Sequence, residues 1–461
     1  MSTKQPKRWL IPVGVGVAAG LTIFALLVLL VDIAGHKRDA LEPFALVVAL
    51  DESIDDPAVW GKNFPDQYDT FVRTVDMQRT RFGGSEALPR TPSEADPRAV
   101  VARSEIDEDP RLIRMWAGYP FSIDYREKRG HAYMLEDQTF TARHQKPQPG
   151  TCMSCHASTV NAWRALGDGD LAVGAAKMSA MPYEEARGHV DQAIACIDCH
   201  DPQTMDLRIT RPAFVEGIRA YKAMQGVVNY DVNRSATRAE MRTYVCAQCH
   251  VEYYFAGPEK TLTYPWQWGI RADQMLARYD HIGFSDWTHE STEAPMLKPQ
   301  HPEFEMFSQG THAQAGVTCV DCHMPYERIG AKKITNHHIR SPLLDINKSC
   351  QTCHKAPESE LLARAEGIQA RTVAMVDAGL GALIGLIDAI EAIEAIEAAE
   401  SSTSAEQLEA ARQAQRRATW YLDFVLAENS AGFHAPQESA RVLFLAMDAI
   451  REGHVALGQG G

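Results

Sequence analysis

Cys152-Met-Ser-Cys155-His156 opens a series that recurs as Cys196-Ile-Asp-Cys199-His200, Cys246-Ala-Gln-Cys249-His250, Cys319-Val-Asp-Cys322-His323 and Cys350-Gln-Thr-Cys353-His354. The five copies use all ten cysteines of the chain. C-x-x-C-H is the attachment pattern of c-type haem. Two thiols add to the haem vinyl groups as thioethers, and the histidine after the second thiol becomes an axial ligand of the iron. A single match can arise by chance or as half of a zinc site. Five matches that leave no cysteine over do not. The chain is therefore expected to carry five covalent haems c, whose apolar macrocycles would fill much of its core. With no cysteine to spare, structural disulfides are not expected even in an oxidising compartment.

Outward from these motifs, the 461 residues are 45% hydrophobic and 23% charged, the balance of an ordinary globular chain. The formal net charge is −14, and haem propionates would add to it. A surface that binds nucleic acid has to be basic, so nucleic acid is excluded as a partner.

Between the motifs lie short helical patterns, frequent Pro and Gly, and little strand alternation. Before them, a segment without haem motifs carries turns such as Leu88-Pro89-Arg90-Thr91-Pro92, which predict irregular structure. From about Glu358 the composition shifts to Ala, Glu, Leu, Ile and Arg. Thr403-Ser404-Ala405-Glu406 predicts a capping box opening a second long helix, and Pro436 suits the first turn of a third. Ile387, Ile390, Ile393 and Ile396 recur beside Asp388, Glu391, Glu394 and Glu397. A core-facing amphipathic helix is the simpler reading, and a subunit interface the sharper one. The expected fold is mainly α: a haem-packed body over residues 39–355 and a long-helix layer over 356–461 in the same globular unit.

Residues 1–38 are expected to be a membrane anchor. Leu10 to Val31 contains no charge, long enough as a helix to cross a hydrocarbon core of about 30 Å. Lys4, Lys7 and Arg8 precede it, as a cytoplasmic start requires. A cleaved signal peptide is the rival, but its apolar core is shorter and no clear A-x-A site follows here. Either reading exports the body.

Seventeen histidines are present, and five belong to the motifs. The other twelve are more than enough to give every iron a second ligand, so the count alone does not separate an electron wire from an enzyme.

Local sequence is more specific. Trp116-Ala-Gly-Tyr-Pro-Phe-Ser, Arg129-Gly-His131-Ala, Cys249-His250-Val-Glu252-Tyr253-Tyr254-Phe255, Phe284-Ser-Asp-Trp287-Thr and Leu297-Lys298-Pro-Gln300-His301-Pro-Glu303 resemble the ammonia-forming cytochrome c nitrite reductases. The matching runs extend from about residue 110 to about 440, in order and interleaved with the haem motifs. The resemblance implies a periplasmic enzyme that reduces nitrite to ammonium with six electrons. Its substrate-binding haem would sit on Cys152 and Cys155 with His156 beneath the iron. The other four haems would be bis-histidine: His337 opposite His200, His131 opposite His250, His434 opposite His323, and His312 opposite His354. Adjacent His338 is the rival of His337. His36, His144, His189, His281, His289 and His454 have no matched role and are expected to be surface or satisfied polar residues.

Arg143, Tyr253 and His301 match the residues that line the open face of the first haem. Arg143 brings a permanent cation with a planar fork of donors, Tyr253 a phenolic donor, and His301 a proton near neutral pH. Singly, Arg143 would more often pair with a propionate, Tyr253 would be a core aromatic, and His301 a distal ligand. The resemblance also implies Ca²⁺ held by Glu252 and Gln300 with the carbonyls of Tyr253 and Lys298, although some relatives use a basic side chain instead. It further implies a homodimer and a membrane-bound quinol-oxidising multihaem cytochrome as electron donor. One departure is His156, where the best-known members carry lysine; this leaves the tuning of the iron open. A non-catalytic electron carrier with every iron six-coordinate, and a related reductase of hydroxylamine or sulfite, are the alternatives.

Overall fold

A computed structural model describes residues 10–39, 46–84, 88–89, 100–395 and 403–459. The chain divides into two compact units, Met1–Ala49 and Leu50–Gly461. In the first, a single helix spans Leu10–Asp39. Its stretch Pro12–Ala34 has a mean hydropathy of 2.6 and is exposed throughout, as a lipid-facing segment would be.

The second unit begins as a succession of short helices. Each haem motif lies at a helical turn: Met153–His156, Cys196–Asp198, the end of Arg238–Ala247, Cys319–His323, and the turn after Ile346–Ser349. Residues three apart on such a turn project to the same side. Both thiols of a motif therefore face one haem edge, with the histidine just beyond.

More strand is present than the sequence pattern predicted. Among the described residues are four two-stranded antiparallel ladders. Tyr254–Ala256 pairs with Thr261–Thr263, Trp287–Thr288 with Pro295–Met296, and Tyr326–Ile329 with Lys332–Thr335. Leu88–Pro89 pairs with Val100–Val101, inside the stretch expected to be irregular. Strands of two to four residues are too short to display a period-two pattern. Arg90, Thr91 and Pro92 lie outside the described residues.

Three long helices follow: Glu358–Glu394, Ala405–Ala427 and Pro436–Ala456. Acidic Glu358 and Glu360 sit in the first turn of the first, where the helix dipole favours them. The capping box of the second is set one residue later than predicted. Ser404 accepts from the Gln407 amide at 3.2 Å, and Gln407 accepts from the Ser404 amide at 2.8 Å. Pro436 starts the third, where its missing N–H is not needed.

The apolar series resolves as the simpler reading within this chain. Ile387 and Ile390 are buried, and Ile393 packs against the same core. Asp388 and Glu391 turn outward to Arg114, and Glu394 meets Arg412. Ile396 and Glu397 lie outside the described residues. Leu383, Leu386, Trp420, Phe424 and Val442 join Trp116, Phe214 and Trp266 in one core, so the helical layer and the haem-motif region share their interior. Each fully buried aliphatic or aromatic side chain of this kind contributes about 1.5–3 kcal/mol. Glu358–Glu394 is also long and apolar enough to cross a membrane, with mean hydropathy 1.9, but its inner face belongs to this core.

Candidate active site and histidine pairs

Arg211 ties three attachment motifs together. Buried to 2% side-chain exposure, it pairs with Asp198 of the second motif at 2.8 Å. Its Nε and Nη2 donate to the carbonyls of Ser154 and Ala157, around His156, at 2.7 and 3.0 Å. Gln248 of the third motif donates to the Asp198 carbonyl at 3.1 Å and accepts from the Thr210 amide at 3.2 Å. The Cys155 thiol touches that of Cys249, and Cys246 touches Cys319. The haem edges of the first, third and fourth motifs are thus brought side by side.

Four histidine pairs stand ring to ring. His131 and His250 have centroids 6.0 Å apart, His200 and His337 6.3 Å, His323 and His434 6.3 Å, and His312 and His354 6.2 Å. With imidazole nitrogen–metal bonds of about 2 Å and a centroid about 1.1 Å behind each nitrogen, two rings bridged by one ion sit about 6 Å apart. The residues fit four bis-histidine irons. Hydrogen bonds at Nδ1 leave Nε2 free to ligate. His200 meets the Met205 carbonyl at 2.8 Å, His323 that of Arg340 at 3.1 Å, and His337 that of Thr335 at 2.8 Å. His434 meets the Glu428 carboxylate at 2.5 Å. Burial holds His131, His323 and His337 near pKa 4, so the rings are neutral as a metal requires.

His337, not His338, faces His200; the His338 ring is directed to the Asp76 carbonyl at 3.5 Å. Gly130, at φ +83°, turns the chain before His131. Gly310 packs so closely that a Cβ would lie 1.9 Å from the His434 carbonyl. Among the unmatched histidines, His144 bonds the Gln138 carbonyl, His289 that of Arg114, and His454 the Gln459 side chain, while the His281 ring lies tilted against Trp268.

His156 differs. Its Nδ1 is held by the Met134 carbonyl at 3.2 Å, but among the described residues no second histidine ring stands opposite it. Its electrostatic neighbour is instead Arg143, which adds to burial in lowering the His156 pKa to about 4. Arg143 is fixed by Thr141 at 3.1 Å and Gln138 at 3.0 Å, with its guanidinium 4.7 Å over the Phe121 ring. Tyr253 lies beside Cys155 and Cys152, and burial drives its phenol well above 10, so it is a donor. His301 lies near His156 and His250, with Nδ1 4.0 Å from Glu303. Burial outweighs Glu303 and sets the His301 pKa at about 3, leaving Arg143 as the standing cation of the trio.

Glu252 is 1% exposed. It accepts from the Gln300 amide at 2.7 Å and the Tyr279 hydroxyl at 2.9 Å. The Gln300 side chain reaches the Lys298 carbonyl at 3.0 Å. Burial raises the Glu252 pKa, and Glu305 and Asp286 nearby raise it further. Among the described residues no cluster of three His, Cys, Asp or Glu side chains is arranged around an ion. One carboxylate, one amide and backbone carbonyls make a different kind of donor set, all hard oxygens, which suits Ca²⁺. Burial and mutual repulsion favour the neutral form of these acids, and a cation among them would draw off their protons.

The sequence reading missed Arg211, Glu428 and Asp423. Their partners are 13, 6 and 125 residues away, and no local spacing marks such pairs.

Residues 56–460 match the cytochrome c552 family. A cytochrome c-552 of Parabacteroides distasonis is 36% identical over 403 residues, covering 86% of this chain and 74% of that one. Another, from Porphyromonas gingivalis, is 33% identical over 435 residues, covering 92% and 79%. The catalytic subunit of cytochrome c nitrite reductase from Desulfovibrio desulfuricans, for which two calcium sites are described, superposes with a TM-score of 0.77 at 28% identity. That alignment covers 90% of this chain and 88% of that one. With its repeated attachment motifs, paired histidines and mainly α body, this chain belongs to the cytochrome c552 family, as a multihaem cytochrome c of the nitrite reductase type.

Proposed function

We propose that the protein is a dissimilatory nitrite reductase acting on the periplasmic side of the cytoplasmic membrane. Nitrite, eight protons and six electrons would yield ammonium and two waters at the haem of Cys152, Cys155 and His156. The observation that carries the reading is the contrast around His156: four motif histidines have a ring opposite, and this one has Arg143, Tyr253 and His301 nearby. When bound, that haem would supply an iron able to bind nitrite and pass electrons to it.

The chain's own residues do the rest. Arg143 holds the nitrite oxygens with its fork of donors and stabilises charge as the N–O bonds break. Tyr253 donates its phenolic hydrogen bond into the same space. His301 gains proton affinity once an anion lies beside it and passes protons inward. The contacts Cys155–Cys249 and Cys246–Cys319 would hold the attachment points of the first, third and fourth haems close to one another. Ca²⁺ on Glu252, Gln300 and the carbonyls of Tyr253 and Lys298 would stiffen the two loops that carry Tyr253 and His301.

The helix Leu10–Asp39 would serve as an uncleaved anchor, and protein lost from carbonate-washed membranes would contradict that. Exposed Phe444, Met447 and Val455 on the last helix support a homodimer through the long-helix layer; sedimentation as a monomer would remove it. A membrane-bound quinol-oxidising multihaem cytochrome is the proposed donor, and membranes lacking one should fail to reduce the enzyme with quinol.

The central test is paramagnetic resonance of the purified protein, whose mass should exceed the apoprotein by five haems. One high-spin signal that nitrite abolishes is expected. Five low-spin haems before nitrite is added would leave an electron carrier.

A further inference from the structure

Lys298 and Asp423 form an ion pair at 3.0 Å with side chains 1% and 0% exposed. Asp423 lies on the long helix Ala405–Ala427, and its second oxygen accepts from the Trp116 indole at 2.9 Å. Lys298 Nζ also donates to the Pro299 carbonyl at 2.6 Å and stands over the rings of Trp116 and Phe121, at 4.9 and 5.1 Å. Phe121 is the ring on which the Arg143 guanidinium lies.

The backbone of the same lysine is equally committed. Its amide donates to Asp286 at 2.9 Å, and its carbonyl accepts from Gln300 at 3.0 Å. His301 follows directly. Two charges withdrawn from water gain little stability over apolar side chains of the same volume. Stability alone therefore does not account for this pair. Its placement does, because both walls of the His156 pocket meet at Lys298.

We infer that Asp423 is a positioning residue for that pocket. Through Lys298 it holds the loop of Gln300 and His301 and the aromatic bed beneath Arg143 from one point on the C-terminal helix layer. The inference rests on the function proposed above. It makes the helix layer part of the site's alignment, where a shift of about 1 Å can cost about 10²-fold in rate.

The test uses the full-length holoprotein with Asp423→Asn and with the double variant Lys298→Met/Asp423→Asn, in which no buried charge is left alone. Arg417→Ala serves as control, since Arg417 lies on the same helix and its pair with Glu452 of the last helix is exposed to solvent. Haem content, low-spin signals, nitrite kcat and KM, and amide hydrogen exchange over residues 297–303 are measured. Both Asp423 variants should keep five haems and unchanged low-spin signals, lose kcat by about tenfold or more, and exchange faster over 297–303. The control should match wild type throughout. Wild-type kinetics and exchange in both Asp423 variants would overturn the inference. So would haem loss in both, or an equal defect in the control. If wild type itself does not reduce nitrite, the proposed function falls, and exchange over 297–303 decides the positioning role alone.

Discussion

The first haem motif and the other four are alike in sequence and unlike in surroundings. His200, His250, His323 and His354 each face a ring delivered from another part of the chain, from the 326–335 hairpin and its exit to the turn before the last helix. Near His156 stand instead the Arg143 cation and the buried His301 imidazole, with the Tyr253 phenol beside Cys152 and Cys155. C-x-x-C-H decides only that a haem is attached. What the haem does is decided by the residue supplied opposite, and whether that residue fills the sixth position or leaves it for substrate.

The largest expected effect tests the open side of this contrast. Arg143→Ala should lower nitrite turnover by about 10²–10³-fold, because it removes a preorganised donor to developing charge. The low-spin signals should not change. Intact turnover would erase the distinction between the two kinds of site.

A smaller effect is expected from the loops behind the pocket. Glu252→Ala should weaken calcium binding by about 10–100-fold and lower activity while haem content stays constant. Chelation of wild type should do the same, and added Ca²⁺ should restore wild type only. Metal analysis that finds no calcium in active protein would show that the buried acids are neutralised some other way.

The closed side is sharpened by two neighbours. His337→Ala should convert one low-spin haem to high-spin, whereas His338→Ala should leave the spectrum as it is. Turnover should fall modestly in the first, since the haem of His200 would relay electrons at an altered potential. The reverse pattern would exchange the two assignments.

The sequence carried the haem sites because attachment is a local act. Two thiols and an imidazole must fit one turn, so their spacing is fixed and visible. The long helices were equally legible through their caps and composition, with the box at Ser404 misplaced by one residue because Gln407 can close it as well as Glu406. The short ladders were not legible, since strands such as Trp287–Thr288 are set by their partners rather than by their own pattern. For the histidine pairs and the pocket trio, motif resemblance pointed to residues that no spacing rule would join. The proton affinity of His301 was not legible for a different reason: it depends on burial, which only the packed chain reveals.

Arg211 hydrogen-bonds the first motif through backbone carbonyls, that of Ser154 and that of Ala157 just beyond it. Any residue can present a carbonyl. This part of the scaffold is therefore indifferent to the identity of the side chain at position 156. A change of side chain at position 156 would leave both of these bonds in place, so the residue there can vary without loosening the grip of Arg211 on the turn that carries it.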